Sequence, residues 1–208
     1  MPEAKPPKTF LPQKALLIPD MKGWHILFFV VNVIGGNWFL HRSVWNPSPT
    51  KLPLEERLSV ENPVFRTLLI TSVILLLKTI GYAWLAVYTA VVNNSFSKNP
   101  EDQNTGDLSK PAKTRESDPD QDRAHRLHLN ALENCPIAVI LAALMVVAGP
   151  DADAATTYMW AFVGLRIAHG FWYWNAGSHE VRAVFYTGGV FCCVGYSFQI
   201  LRACGYSF

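Results

Sequence analysis

Charged and polar side chains recur at helical spacing within three stretches of the sequence that are otherwise strongly apolar. Spacings of three, four or seven residues put such side chains on one face of a helix. The three faces carry Arg126, Asn130 and Glu133, flanked by His128; Arg166, His169 and Tyr173; and Arg182 and Tyr186. Because an ionisable residue is costly at the depth of a bilayer unless it faces a partner or water, each is a candidate for function.

The charges of these three faces do not balance. Three arginines and two histidines stand against one glutamate. Polar residues in membranes often serve only to hold helices together, and that role stays open for any single residue. It does not account for the set, because the excess positive charge has no partner within it. We therefore expect an anionic ligand to complete a site.

The elements that must position these residues are membrane helices. Half of the 208 residues are hydrophobic, 16% are charged and the mean hydropathy is positive, which is unusual for a soluble domain. Four stretches reach the roughly 20 apolar residues that a spanning helix needs: residues 64–92, 127–148, 154–174 and 181–203. A fifth, residues 24–40, is shorter, and by length alone it can span, lie in the interface or pack beside the bundle.

Basic residues predict the orientation of these helices. The loop 93–122 carries four of them, whereas the turn 149–153 carries none. Because Lys and Arg favour the cytoplasmic side of short loops, the loop 93–122 and the turn 175–180 are predicted to be cytosolic. The lysine-rich amino terminus is cytosolic too if residues 24–40 span. All three polar faces then fall in the cytosolic half, where they can converge on one pocket.

Other classes of function find little support in the sequence. The net charge is only +2 and the basic residues are scattered, which argues against a nucleic-acid surface. No paired cysteine spacing indicates a metal or redox site, so the default interpretation of the cysteines is small buried hydrophobes in the membrane helices. They are Cys135, Cys192, Cys193 and Cys204. Lys78, in the first stretch, lies outside the polar faces and can snorkel or pair between helices.

Several runs of residues resemble one family of membrane proteins. The run Arg126, Asn130 and Glu133 is similar to the hallmark of the membrane-associated proteins in eicosanoid and glutathione metabolism, the MAPEG family. Further similar runs are Glu61-Asn-Pro-Val-Phe-Arg66, Asn99-Pro-Glu-Asp102, Ser117-Asp-Pro-Asp120, Arg166-Ile-Ala-His169 and Val181-Arg182. The resemblance covers about residues 61–204, and it is to the branch of the microsomal glutathione transferases and prostaglandin E synthases.

This resemblance implies a fold, an assembly and a location. The fold is an all-α integral membrane four-helix bundle over residues 61–208, with the cytosolic loop 93–122, and the assembly is a homotrimer. Residues 1–60 fall outside the resemblance and are expected to form an N-terminal extension, in which the stretch 24–40 is the candidate for an additional membrane or interfacial helix. The location is the endoplasmic reticulum membrane, with the active site toward the cytosol.

The resemblance also implies glutathione as a co-substrate, bound between neighbouring subunits. The implied contacts are Arg126, Asn130, Glu133, His169, Tyr173, Arg182 and Tyr186, with His128 as a further candidate; Arg166 joins them from its own polar face. Glu133 suits the ammonium group of glutathione, and the arginines suit its carboxylates. Arg182 is expected to be catalytic, because a guanidinium beside the sulfur favours the nucleophilic thiolate. Asp102 matches a loop acid that the resemblance implicates in the synthases.

The expected function is conjugation of glutathione to hydrophobic electrophiles that enter from the phospholipid membrane, with reduction of lipid hydroperoxides as a further activity. One alternative is a glutathione-dependent isomerase acting on prostaglandin H2, which Ala183 disfavours because the synthases have a serine there. A second is a non-catalytic lipid-binding scaffold, which does not require the charges of Arg126, Glu133 and Arg182.

Overall fold

The computed structural model describes residues 30–45, 48–93, 95 and 118–206. Within these ranges every regular element is a helix. A composite helix α1 runs through the segments Val31–Gly35, Gly36–Phe39 and Leu40–Trp45, α2 is the single turn Leu54–Arg57, and the long helices are α3 (Pro63–Asn93), α4 (Pro119–Ala148), α5 (Ala152–Trp174) and α6 (His179–Ala203). The expected all-helical architecture is therefore confirmed for the described part of the chain.

Each long helix contains one of the predicted apolar stretches and begins before it. The difference is largest at α4, which begins at Pro119 rather than at residue 127. Asp118 caps this helix, because its Oδ1 accepts hydrogen bonds from the backbone N–H groups of Asp120 and Gln121, both at 3.0 Å. Pro119 suits the first helical position, where an N–H group would have no partner.

Three of the long helices, α3, α4 and α6, are long and apolar enough to cross a membrane. At 1.5 Å per residue, α3 is about 46 Å long and α6 about 37 Å, both more than the hydrocarbon core requires. The sequence also predicted a fourth apolar span at 154–174, but by mean hydropathy this helix does not qualify. Helix α5 forms, but Arg166, His169 and several Trp and Tyr residues lower its hydropathy.

The four long helices pack in pairs, α3 against α4 and α5 against α6, and the pairs meet through α3 with α5 and α4 with α6. Small residues form much of the buried face of α4, including Ala124, Ala131, Cys135, Ala138 and Ala142. Such residues let helices approach closely in a membrane. Large apolar side chains cover the outside instead, as at Leu77, Trp84 and Val184, which gives the bundle a surface suited to lipid.

Hydrogen bonds fix the helix ends that carry the polar faces. Thr89, near the end of α3, donates to the side chain of Gln121 at the start of α4, and Asn93 Nδ2 donates to Asp118 Oδ1 at 3.2 Å. Because adjacent long helices run antiparallel, α3 and α5 end, and α4 and α6 begin, at this same end of the bundle. The polar faces of α4, α5 and α6 are therefore all near it.

Helix α1 packs beside the bundle, which was one of the three placements left open for residues 24–40. Asn37 is fully buried, and its Nδ2 donates to the carbonyl oxygens of Val33 at 2.7 Å and Phe191 at 3.0 Å. Its Oδ1 accepts from the Tyr158 hydroxyl of α5. The helix continues past the predicted end at residue 40 to Trp45, while residues 24–29 lie outside the described ranges. That this helix spans a membrane stays a prediction.

Candidate functional site

A cleft of about 230 Å³ lies where α5 ends and α6 begins. Its lining residues are His169, Tyr173, His179, Arg182, Ala183, Tyr186 and Thr187. On α5, His169 and Tyr173 are four residues apart, as are Arg182 and Tyr186 on α6, so each pair occupies one face of its helix. The structure thus brings the polar faces of α5 and α6 together as two walls of one cleft.

Arg182 is held by an aromatic ring. Its guanidinium carbon lies 4.8 Å from the centroid of the Tyr173 ring, a cation–π contact between the two walls. Its Nε is buried and has no hydrogen-bond partner among the described residues. His169 lies beside this pair, with 6% of its surface exposed and its ring centroid 5.8 Å from that of Tyr173. The guanidinium therefore has donor capacity left for an anion in the cleft.

Arg166 lies deeper, behind the wall formed by Tyr186. Only 2% of its surface is exposed, and its guanidinium carbon is 5.0 Å from the centroid of the Tyr186 ring. Nη2 donates to Asn134 Oδ1 at 2.9 Å, whereas Nε and Nη1 have no partner among the described residues. Gly189 makes room for this side chain, since a Cβ atom there would lie 2.9 Å from the guanidinium. A second cation is thus buried against Tyr186, although it does not itself line the cleft.

The excess of positive charge is concentrated around the cleft. Lys78, Arg166 and Arg182 all lie within electrostatic range of His169. Between described residues, neither Arg166 nor Arg182 forms an ion pair with a carboxylate; the ion pairs of this end belong to two other arginines of α4. A buried cation without a counter-charge is costly, so the arrangement favours an anionic ligand.

The polar face of α4 does not reach this cleft within one protomer. At 100° per residue, the face of Arg126, Asn130 and Glu133 lies about 110° round the helix from the buried residues Leu127 and Ala131. Arg126 and Glu133 are exposed and Asn130 is half-buried. Within a single chain the α4 face therefore does not join the other two, because its small residues occupy the side that packs against the bundle; convergence of the three faces between neighbouring subunits stays a prediction.

Arg126 does not line the cleft. Its Nε donates to Asp122 Oδ2 at 2.7 Å, and Tyr173 lies within electrostatic range of it. His128 does not flank the exposed face. It is two positions from both Arg126 and Asn130, and positions two apart in sequence are separated by about 200° around a helix. It is partly buried, and its Nδ1 has no partner among the described residues. Asp102, the predicted loop acid, lies outside the described residues.

Sequence reasoning missed three residues of this site. Asn134, the partner of Arg166, lies four residues after Asn130, and this spacing puts it next to Asn130 along the helix. His179 and Thr187 line the cleft on α6, and His179 precedes Arg182 by one helical turn. A search of α6 for polar residues at i−3 from Arg182 would have found His179.

Lys78 pairs between helices, one of the two roles left open for it. Its Nζ donates to Cys135 Sγ on α4 at 3.8 Å and lies 4.7 Å from the centroid of the Tyr82 ring. Cys135 and Cys192 are buried and Cys193 is half-buried, as the sequence suggested. Cys204 is exposed, because α6 ends one residue before it, so the expectation of burial in a membrane helix is wrong there.

Comparison with known proteins supports the resemblance drawn from the motifs. The chain is similar to microsomal glutathione S-transferase 1 of Mus musculus and of Rattus norvegicus, at 26% identity over 145 residues in both cases. Each alignment covers 69% of this chain and 93% of the relative. The profile of the MAPEG family matches residues 68–202, which include α4, α5 and nearly all of α6 and α3. The chain therefore belongs to the MAPEG family.

Proposed function

We propose that this protein is a membrane-bound glutathione transferase that joins the sulfur of glutathione to hydrophobic electrophiles. The observation that carries the proposal is the cleft in which Arg182, held over the Tyr173 ring, stands beside His169 and in front of the buried Arg166. A cleft with surplus positive charge suits the two carboxylates and the developing thiolate of this tripeptide. Membership of the family and the likeness to two microsomal glutathione transferases support it.

In this proposal Arg182 stabilises the thiolate. Its guanidinium faces the sulfur, lowers the free energy of the anion relative to the thiol, and so lets the thiol proton leave to solvent. The sulfur then forms a bond to the electrophilic carbon, and a leaving group departs with its electron pair. Arg166 supplies long-range positive charge from its buried position against Tyr186, while Tyr186 and His169 line the cleft.

The α4 face of Arg126, Asn130 and Glu133 binds the remaining part of glutathione in this proposal. Glu133 suits the ammonium group of glutathione, and Arg126 and Asn130 suit its polar backbone. Because this face is turned outward in one protomer, it completes the cleft of a neighbouring subunit in a homotrimer. We place the assembly in the endoplasmic reticulum membrane, with the cleft toward the cytosol, because the loop 93–122 carries four Lys or Arg residues and the turn 149–153 carries none.

One residue of the cleft favours transfer over prostaglandin isomerisation. Ala183 lines the cleft directly after Arg182, where the resemblance to the synthases calls for a serine hydroxyl. A methyl group cannot donate a hydrogen bond to an endoperoxide or to the sulfur.

The charged cleft also disfavours a non-catalytic lipid-binding scaffold, since such a protein has no need of Arg182 and buried Arg166.

The test is conjugation by the purified full-length chain. Adding glutathione to the detergent-solubilised protein should produce the ultraviolet absorbance of a bound thiolate, and chlorodinitrobenzene should be conjugated. Arg182→Ala should abolish the thiolate signal and lower kcat/KM by roughly 10²- to 10³-fold, the usual loss on removing one electrostatic stabiliser of a developing anion.

The matched control is Arg66→Ala, an exposed arginine in the first turn of α3 at the opposite end of the bundle. It should leave both signals unchanged. Full conjugating activity in Arg182→Ala would overturn the catalytic assignment, and efficient conversion of prostaglandin H2 to prostaglandin E2 without conjugation would replace transfer by isomerisation.

A further inference from the structure

A small basic pocket lies between α1 and the last turns of α6, far from the cleft. Its lining residues are Trp38, His41, Arg42, Phe198 and Arg202. Along α6, Arg202 is about 30 Å from Arg182 at 1.5 Å per residue, so the pocket is at the other end of the bundle. It also falls partly outside the span matched to the family, because α1 precedes residue 68. The pocket is therefore a feature separate from the proposed transferase site.

His41 is a buried imidazole without a regular partner. Only 4% of its surface is exposed, and its ring stacks on that of Phe198 at 5.4 Å between centroids and 10° between planes. Neither ring nitrogen makes a hydrogen bond of normal geometry with a described residue, although the backbone of Gly195 lies close enough to interact with the ring. The carboxylate that acts on it electrostatically, Asp151, already caps α5 by accepting from the Ala154 N–H group at 3.0 Å. A polar group that lines a pocket in this state calls for a further partner.

Arg42 and Arg202 place two guanidinium groups at the same pocket, one from each helix. The enclosed space is only about 10 Å³, enough for one oxygen-sized group. An anion with several oxygens can insert one of them toward His41 and leave the others to the arginines. Phosphate fits this donor set, because guanidinium groups bind its oxygens in pairs.

The surroundings of the pocket have the composition typical of a membrane interface. Trp38 lines it with 46% of its surface exposed, and Ile34, one turn earlier on α1, and Leu201 on α6 are exposed as well. Tryptophan beside arginine at the end of a membrane helix is typical of the headgroup level of a bilayer. We propose that this pocket binds the phosphate of a phospholipid, whose acyl chains follow the exposed apolar side chains of α1 and α6.

The experiment compares three ligands on the full chain purified in a non-ionic detergent. Native mass spectrometry and the midpoint of thermal unfolding are measured with dioleoylphosphatidylglycerol, with dioleoylglycerol and with inorganic phosphate. The phospholipid should stay bound and raise the midpoint of thermal unfolding. Dioleoylglycerol, which lacks the phosphate, and inorganic phosphate, which lacks the acyl chains, should each bind weakly and raise the midpoint little. Arg42→Gln/Arg202→Gln should weaken phospholipid binding at least about tenfold, the loss of one charge-assisted hydrogen bond or more.

Lys51→Gln/Arg66→Gln removes two exposed basic side chains at the same end of the bundle and should bind as the unaltered chain does. The single variant Arg42→Gln changes an exposed residue, so it tests the site even if the double variant fails to fold. Unchanged phospholipid binding in Arg42→Gln would overturn the proposal. So would equal stabilisation by inorganic phosphate, which indicates a free anion, or by dioleoylglycerol, which indicates acyl-chain binding alone.

Discussion

At the scale of single residues, the position of one buried guanidinium organises the site. Arg166 is fixed by Asn134 on α4, by two aromatic rings and by the empty space over Gly189. None of these contacts alone is strong, since a charge-assisted hydrogen bond contributes about 1.5–3 kcal/mol and a cation–π contact less. Together they hold a cation close to a cleft that lacks a described counter-charge. In the proposed function the rate depends on where that charge is held, so we expect a small displacement of Arg166 to be visible in the kinetics.

Gly189→Ala tests this dependence. The new Cβ atom would lie 2.9 Å from the Arg166 guanidinium, which must shift and strain its hydrogen bond to Asn134. Because misplacement of a site group by about 1 Å can cost up to 100-fold in rate, we expect kcat/KM for conjugation to fall roughly 10- to 100-fold. Gly164→Ala on α5 is the control, since a Cβ atom there meets nothing within 4 Å. Equal activity of the two variants would contradict the role given to Arg166.

At the scale of elements, α1 is attached to the bundle through polar groups more than through apolar area. Much of its apolar surface faces outward, as at Val31, Trp38 and Phe39. Its inner face carries buried Val33, Asn37 and His41. Asn37 joins α1 to α6 through the Phe191 carbonyl and to α5 through the Tyr158 hydroxyl. A buried amide that satisfies three groups at once fixes the register of a helix better than apolar contact does.

Replacing Asn37 should therefore detach α1. Asn37→Leu keeps a side chain branched at the γ atom but leaves the Tyr158 hydroxyl and the Phe191 carbonyl without that partner, at a cost of about 1–3 kcal/mol for each buried group left unsatisfied. We expect a lower thermal midpoint and faster tryptic cleavage after Arg42 and Lys51. Ile34→Ala, at an exposed position of the same helix, should change either measurement little. Protection against trypsin that matches the unaltered chain would show that the apolar contacts of α1 suffice.

At the scale of the whole molecule, the two halves of the proposed glutathione site face different directions. The cleft of α5 and α6 opens between those helices, whereas Glu133 and Asn130 are on the outward side of α4. No hydrogen bond or ion pair between described residues connects these two side chains to the cleft. A cyclic assembly solves this geometry, because the α4 face of one subunit can be set against the cleft of the next.

Subunit mixing tests whether neighbouring chains share a site. Glu133→Ala damages only the α4 face and Arg182→Ala only the cleft, so each homotrimer should be inactive. If the two chains are co-expressed equally, about three-quarters of the trimers are mixed and each mixed trimer has one intact interface of three, which predicts about one-quarter of full activity. Separately expressed and then combined preparations serve as the control. No recovery in the mixed trimers would place all ligand contacts within one chain.

Sequence alone determined the features that depend on local periodicity. The 3.6-residue repeat identified the long helices and put His169 with Tyr173, and Arg182 with Tyr186, on single faces. Composition indicated a membrane protein, and three helices of the structure are apolar and long enough for that. The run of Arg126, Asn130 and Glu133 identified the family, because its spacing is read along one helix and needs no knowledge of neighbours.

Tertiary structure decided which helix each face meets. The polar face of α4 points away from the bundle because the opposite side of the helix carries small residues, among them Ala131 and Cys135. Small residues favour close helix packing, and in this structure they pack against α3. The bond from Arg166 to Asn134 and the pocket at His41 each join residues far apart in the chain. Periodicity assigns a residue to a face of its own helix, but the partner of that face depends on the packing of every helix at once.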